Sequence, residues 1–309
     1  MKYYFIVNPG SRTGKGKELW DEMQRRLDRS GKEYEVIMTH GKDDARRAAT
    51  SVCARDPEMK RIVVAGGDGT LNEVVSGIPS GARVMLGVIP TGSSNDFARG
   101  LGISQDPIKA FERVLNPRYF EKIDVGLTRF PGTSDSQARF AVSSSIGYDA
   151  QICHKALVSR LKKFLNFIGK GRLVYYITGI FLIFKCPHTK AEIIIDGKRK
   201  LSYKKLVFAS AMNTKYEGGG MPMGPAADPT DGKVTMCIVH DVSRFKHLLY
   251  MPSVIKADHV NKRGVEQITC RTCEIRTGRP LCVHTDGEPA GVRDHVIFSC
   301  TGDKLRIMR

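Results

Sequence analysis

The segment Val63-Val64-Ala65-Gly66-Gly67-Asp68-Gly69-Thr70-Leu71-Asn72-Glu73-Val74 constrains this chain most. An apolar β-branched run ends in three glycines interrupted by one aspartate, and a helical pattern follows at once. Glycine lets backbone approach a bulky anion, and a new helix offers unpaired N–H groups and the positive end of its dipole. A tight turn alone needs one or two glycines, so a phosphate loop is the stronger reading. Asp68 would then stand beside the phosphates, where a carboxylate needs a metal ion or a transferable proton as company.

The flanks of this loop set the fold class. Tyr3 to Val7, Tyr34 to Met38, Arg61 to Ala65 and Arg83 to Ile89 read as strands whose apolar residues do not alternate. Such strands are covered on both faces, as in a parallel sheet with helices on each side. Leu19, Met23 and Leu27 mark one face of an intervening helix with Gly31 at its C-terminal cap, and Asp43 and Asp44 can cap the next. The pattern changes after Asp124. Phe140 to Ser145, Ala191 to Ile195, Leu206 to Met212, Val234 to Val239, Gln267 to Ile275 and Leu281 to His284 read as strands. Turn signals such as Asp196-Gly197 and Asp231-Gly232 lie between them. Helical patterns interrupt from Ala156 to about Lys185 and from Phe245 to about His259. The expectation is an α/β fold: a doubly wound nucleotide-binding domain over residues 1–124, which the tail 291–309 can complete, then an antiparallel β-sandwich over residues 125–290.

Length and charge bound the rest. A chain of 309 residues supports two cores. A net charge of +17 favours nucleic acid, an anionic membrane or a polyphosphate without choosing among them. MKYYFIVNPG carries no signal pattern, and the apolar run Leu173 to Phe184 is 12 residues, short of a membrane span. Eight cysteines in such a chain read as reduced cytosolic thiols, with the Cys270–Cys273 pair as buried thiols rather than half of a zinc site. Between Lys155 and Arg172, six basic residues and no acidic ones interleave with apolar positions three or four apart. That is a basic amphipathic helix, suited either to an anionic lipid surface or to packing on the core.

GGDGTLNEV resembles the signature of the diacylglycerol kinase catalytic domain, shared with sphingosine kinases and, in shorter form, NAD kinases. Four further motifs follow that family in order. They are NPGSRTGKG after the first strand, IPTGSSNDFARGLGI from Ile89, NTKYEGGGMPMGPAADPTDGKVTM from Asn213, and TDGEP from Thr285. The chain resembles most the soluble bacterial lipid kinase branch. A Walker loop is excluded because Gly10 to Gly16 is one residue short and glycine follows Lys15, and no GxGxxG opens the first helix.

The resemblance implies ATP as phosphoryl donor, Mg2+, and a lipid alcohol as acceptor. It places Asn8-Pro9-Gly10-Ser11-Arg12, Thr39, Gly66-Gly67-Asp68-Gly69-Thr70-Leu71-Asn72 and Ser93 on the nucleotide. Arg12 stands where relatives often have glycine. Asp68, Asp96 and Asp124 look like the family's acidic network around catalytic magnesium, with Arg99 as counter-charge. Asp231, with the main-chain carbonyls of Asp228 and Lys233, looks like a second, structural cation site. By the same resemblance Glu288 is the general base and Asp286 a neighbour that orients it or binds metal. Both carboxylates flank Gly287 at a strand's end, where residues i and i+2 face one side. The expected reaction moves the γ-phosphate to the hydroxyl of diacylglycerol or a similar lipid, on the cytoplasmic face of a membrane. Homo-oligomers are compatible with this, and no nucleic-acid partner is expected. The alternatives are a NAD kinase and a non-catalytic basic nucleotide- or nucleic-acid-binding module.

Overall fold

The computed structural model describes residues 2–11, 16–55, 58–134, 136–158 and 173–309. Two units emerge, Met1–Ile123 with Gly302–Arg309, and Asp124–Thr301.

In the first unit, β1 (Tyr3–Val7), β2 (Tyr34–Met38), β3 (Lys60–Gly66) and β4 (Val84–Pro90) run parallel in the order β4-β3-β1-β2. Every residue of β1 and β4 is buried, as expected of strands covered on both faces. Helices α1 (Gly16–Asp28), α2 (Asp44–Ala54), α3 (Asp68–Gly77), α4 (Asp96–Gly100) and α5 (Pro107–Leu115) connect them. Trp20, Met23 and Leu27 of α1 pack with Phe5, Val63 and Phe111 in one core. The chain returns at its end: Arg306 and Ile307 pair in parallel with Met85 and Leu86. The returning segment begins at Gly302, later than the tail from residue 291 named above.

One capping expectation changes. Asp43 adopts a left-handed φ of 65° and makes no side-chain cap. Glu73 supplies the cap from α3, accepting the N–H groups of Asp43 and Ala45 at 3.1 Å each. Asp44 instead reaches back to the His40 and Gly41 amides.

The second unit is antiparallel. Its strands are β6 (Gln137–Phe140), β7 (Ser143–Gly147), β8 (Thr189–Ile195), β9 (Arg199–Met212), β10 (Val234–His240), β11 (Val265–Cys270) and β12 (Thr272–Thr285). β13 (Glu288–Met308) starts here and ends in the first unit, and β5 (Phe120–Arg129) crosses the boundary the other way. The long β9 and β12 each pair with β8 along one half and β7 along the other, closing a flattened ring. Ala191, Ile193 and Ile195 alternate inward from β8 onto Leu206, Ile275 and Phe298. Helix α6 (Tyr148–Val158) begins eight residues before the helical pattern at Ala156, and α7 (Leu173–Ile183) and α8 (Arg244–Ile255) follow. Residues 159–172, most of the basic amphipathic segment, lie outside the described residues.

The strand read as Gln267 to Ile275 is in fact two. It breaks at Arg271, where the Arg271 and Thr272 amides both donate to Asp196 Oδ1, at 2.8 and 2.9 Å. Cys270 and Cys273, on either side of that break, are buried free thiols.

Candidate active site

In the first unit, the loops after β1, β3 and β4 meet at the carboxyl ends of the parallel strands. The chain leaves β1 for β2 on one side, while β3 pairs on the other, so this is the switch point where α/β sheets bind ligands. Asn8 Nδ2 donates to Thr70 Oγ1 at 3.0 Å, and Asn8 Oδ1 accepts the Gly10 amide at 3.0 Å. Ser11 Oγ donates to Thr91 Oγ1 at 2.9 Å, and the Thr91 N–H reaches the Gly66 carbonyl at 3.0 Å. Thr39 is buried, with its N–H and hydroxyl both directed at the Val7 carbonyl.

Glycine is required where two of these loops touch. A Cβ on Gly92 would stand 2.4 Å from Gly67 Cα, and one on Gly66 would stand 2.6 Å from Thr70 Cβ. Gly67 precedes the first residue of α3, so backbone contact brings the second loop beside a helix N-terminus. Asn95, at a left-handed φ of 53°, holds that second loop by exchanging hydrogen bonds with Gly92 at 2.9 and 3.0 Å.

Asp68 opens α3 with its carboxyl turned inward, accepting the amides of Asp96 at 3.0 Å and Phe97 at 3.1 Å. Burial pushes its pKa above the ordinary carboxylate value, against the pull of these amides. Asp96 is buried as the first residue of α4. Hard carboxylate oxygens on Asp68 and Asp96 suit Mg2+, which keeps several of its waters and needs few protein ligands. Leu71 and Asn72 are buried in α3, Ser93 is exposed in the second loop, and Arg12 lies outside the described residues. Arg99 Nε is buried without a hydrogen-bond partner among the described residues. Thr91 and Asn95 were legible within IPTGSSNDF as hydroxyl and amide side chains, yet the motif alone singled out Ser93.

In the second unit, Asp286 and Gly287 form the tip of a hairpin in which Thr285 pairs with Glu288. Both tip residues have positive φ, 48° and 81°, the pattern of a type I′ turn. Strand alternation therefore does not govern this tripeptide. Asp286 bends back to accept three consecutive amides, Ala141 at 2.7 Å, Val142 at 2.8 Å and Ser143 at 2.9 Å. It braces the hairpin against the start of β7 and is not placed as a metal ligand. Glu288 is part-exposed, and its carboxylate has no hydrogen-bond or ion-pair partner among the described residues.

Asp124 belongs to the second unit, where its Oδ2 accepts the Gly232 amide at 2.7 Å and its N–H meets the Pro229 carbonyl. The exposed loop it holds carries Asp228, bonded to the Thr230 amide and hydroxyl, and Asp231, bonded to the Lys233 amide. The Lys233 carbonyl accepts the Cys300 thiol at 3.3 Å. One exposed carboxylate and nearby carbonyls are the oxygen donors a hard cation takes.

A further constellation had no motif to announce it. His284 is fully buried, with Nε2 at 3.1 Å from both Asp149 Oδ2 and Glu217 Oε1. Ser143 and Ser210 hydroxyls donate to Glu217 at 2.7 and 3.1 Å. Burial opposes charge on His284, but the hydrogen bonds to Asp149 and Glu217 outweigh it and push the pKa there up to about 10, for a proton that the three interacting groups hold between them. Burial and the neighbouring Asp149 raise Glu217 as well. Within 149–284 these three positions are far apart in sequence, so only the fold unites them.

The family profile described as "Diacylglycerol kinase catalytic domain" matches residues 2–128, and that described as "YegS C-terminal NAD kinase beta sandwich-like domain" matches residues 142–309. YtlR of Bacillus subtilis (strain 168) is 27% identical over 293 residues, covering 94% of this chain and 94% of that protein. The diacylglycerol kinase of the same strain is 27% identical over 289 residues, 93% of this chain and 89% of the relative. A crystal structure from Bacillus anthracis str. Sterne aligns over 99% of this chain and 96% of that one, with TM-score 0.76 at 22% identity, a likeness of fold. Two successive domain matches and full-length relatives agree: the chain belongs to the diacylglycerol kinase catalytic-domain family, in its bacterial lipid kinase branch, and is an enzyme of the kinase class.

Proposed function

We infer that this kinase moves the γ-phosphate of ATP to the hydroxyl of diacylglycerol or a similar membrane lipid alcohol, with Mg2+. The observation that carries the reading is the glycine-to-glycine contact of Gly67 and Gly92 beside the start of α3, which leaves backbone open to a polyphosphate. Asn8, Ser11, Thr70 and Thr91 already hold one another in a hydrogen-bonded rim around that backbone. Asp68 and Asp96 are the residues that would hold Mg2+, whose chemistry is to neutralise phosphate charge. Glu288, whose carboxylate has no partner among the described residues, takes the proton of the lipid hydroxyl as the hydroxyl oxygen forms the bond to phosphorus. The bond from phosphorus to the bridging oxygen breaks, and ADP leaves.

A lipid acceptor requires contact with a membrane surface. No helix among the described residues is long and apolar enough to cross a bilayer. The neighbouring α7 and α8 expose Phe181 at 69%, Phe245 at 65% and Leu249 at 60%. Lys185, Arg244 and Lys246 are exposed beside them, and Arg244 ties the two helices through the Phe184 carbonyl. Apolar side chains ringed by cations fit an anionic leaflet.

The test is labelled ATP offered with vesicles containing diacylglycerol, phosphatidylglycerol or ceramide, and separately with NAD, followed by thin-layer separation. Label in a lipid product is expected. Label in NAD alone would replace this reading with the NAD kinase one.

A further inference from the structure

The trio of Asp149, Glu217 and His284, with Glu217 and His284 buried and Asp149 partly so, takes no part in the reaction as drawn above, yet it lies directly behind the hairpin that carries Glu288. The link is the second ring nitrogen. The Gly287 N–H, between Asp286 and Glu288, points at His284 Nδ1 from 3.2 Å. An N–H donor needs a lone pair, so Nδ1 is unprotonated and the ring's hydrogen sits on Nε2. There it faces the two carboxylates.

Two occupants of this trio compete. Three donor atoms within 4.8 Å of one another could hold a divalent cation. A metal on Nε2 would leave hydrogen on Nδ1, to be donated outward to a carbonyl or carboxylate. Here Nδ1 meets a donor instead, so the trio holds a proton. A buried and a partly buried carboxylate with an imidazole at these distances bind one proton more than they would apart. Placed on the ring, that proton would set N–H against N–H at Gly287. Placed on Glu217, it leaves Nδ1 bare, and the Ser143 and Ser210 hydroxyls still donate to that carboxyl group, at 2.7 and 3.1 Å.

We propose that His284 is a positioning residue for Glu288, its Nδ1 holding the Gly287 amide while Asp149 and protonated Glu217 fix the Nε2–H tautomer. The hairpin tip is then gripped on both sides, by Asp286 on the amides of residues 141–143 and by His284 on Gly287. A type I′ turn has little of its own to fix its orientation, and a carboxylate on its flank needs such bracing to meet a hydroxyl reproducibly. This rests on the reading of Glu288 as the base.

Nitrogen-15 spectra of histidine-labelled full-length protein read the tautomer directly, without reference to activity. His284 is expected to show hydrogen on Nε2 and a bare, hydrogen-bonded Nδ1. Hydrogen on both nitrogens, or on Nδ1 alone, overturns the proposal. Two substitutions then separate positioning from structure. His284→Asn keeps an acceptor oxygen where Nδ1 lies, whereas His284→Gln keeps a donor towards the carboxylates and loses that acceptor. In labelled-ATP transfer to diacylglycerol vesicles, His284→Gln is expected to lower kcat about tenfold or more with KM for ATP unchanged. His284→Asn should retain more of kcat despite a lower melting temperature. Equal losses in the two, or losses that follow melting temperature, overturn the proposal. If both variants unfold, the wild-type spectrum decides. Glu288→Gln, assayed in parallel, separates the two ideas, because full activity there removes the base but leaves the tautomer result standing.

Discussion

The loop cluster of the first unit and the hairpin of the second solve opposite problems. The loops prepare a place for a charged ligand by removing side chains: glycines touch glycines, and short hydroxyl and amide groups tie the rim. The hairpin places a carboxylate that has no partner among the described residues by adding polar groups behind it, including a buried histidine between two acids. Backbone built close to backbone fails when an atom is added. A braced carboxylate fails when a partner is removed.

Gly92→Ala should have the largest effect, because its Cβ would meet Gly67 Cα at 2.4 Å. Nucleotide binding measured by calorimetry should fall by about a hundredfold or more, while the second unit keeps its strand signals. Unchanged binding would mean the glycine contact does not shape the site. Asp286→Ala tests the hairpin by the opposite route. It leaves three amides without their acceptor and should cost about 3 kcal/mol of stability, with kcat lowered and ATP affinity retained. Loss of ATP affinity there would tie the hairpin to the nucleotide and blur the comparison.

The pH dependence should separate the two regions further. The folded trio holds a proton that an unfolded chain releases, since the pKa values of His284 and Glu217 are both raised. That contribution is fully present below the ordinary histidine value of 6.5 and is lost as pH rises towards about 10. The slope is about 1.4 kcal/mol per pH unit, and Glu217→Gln should flatten it. Melting curves across this range check it, and identical slopes in variant and wild type would remove the shared proton. The smallest effect belongs to Glu73→Ala, which removes a cap from α2 and should cost about 1 kcal/mol without altering transfer. A large loss of transfer would give Glu73 a place at the nucleotide.

The same contrast explains what could be read from residues alone. The strands of the first unit announce themselves as unalternating apolar runs, and the phosphate loop is contiguous from Gly66 to Asn72, so local chemistry defines it. Asn95 and Thr91 were within reach because they sit in the same short motif as Ser93. Glu73 was not, because its partners on α2 are 28 and 30 positions away and a motif glutamate carries no sign of whose helix it caps. Asp286 misled for a different reason: an Asp-Gly tip reverses the chain, so the alternation that would align it with Glu288 does not apply. Asp149, Glu217 and His284 lie on a helix start, a glycine-rich loop and a strand. Nothing in their immediate neighbours distinguishes them from ordinary surface polar residues.

Glu288→Gln tests the account at its centre, because it swaps one oxygen for an amide and disturbs no partner among the described residues. Transfer of labelled phosphate from ATP to lipid should disappear while ATP binding and melting temperature stay as they were. Transfer at the wild-type rate would contradict the account.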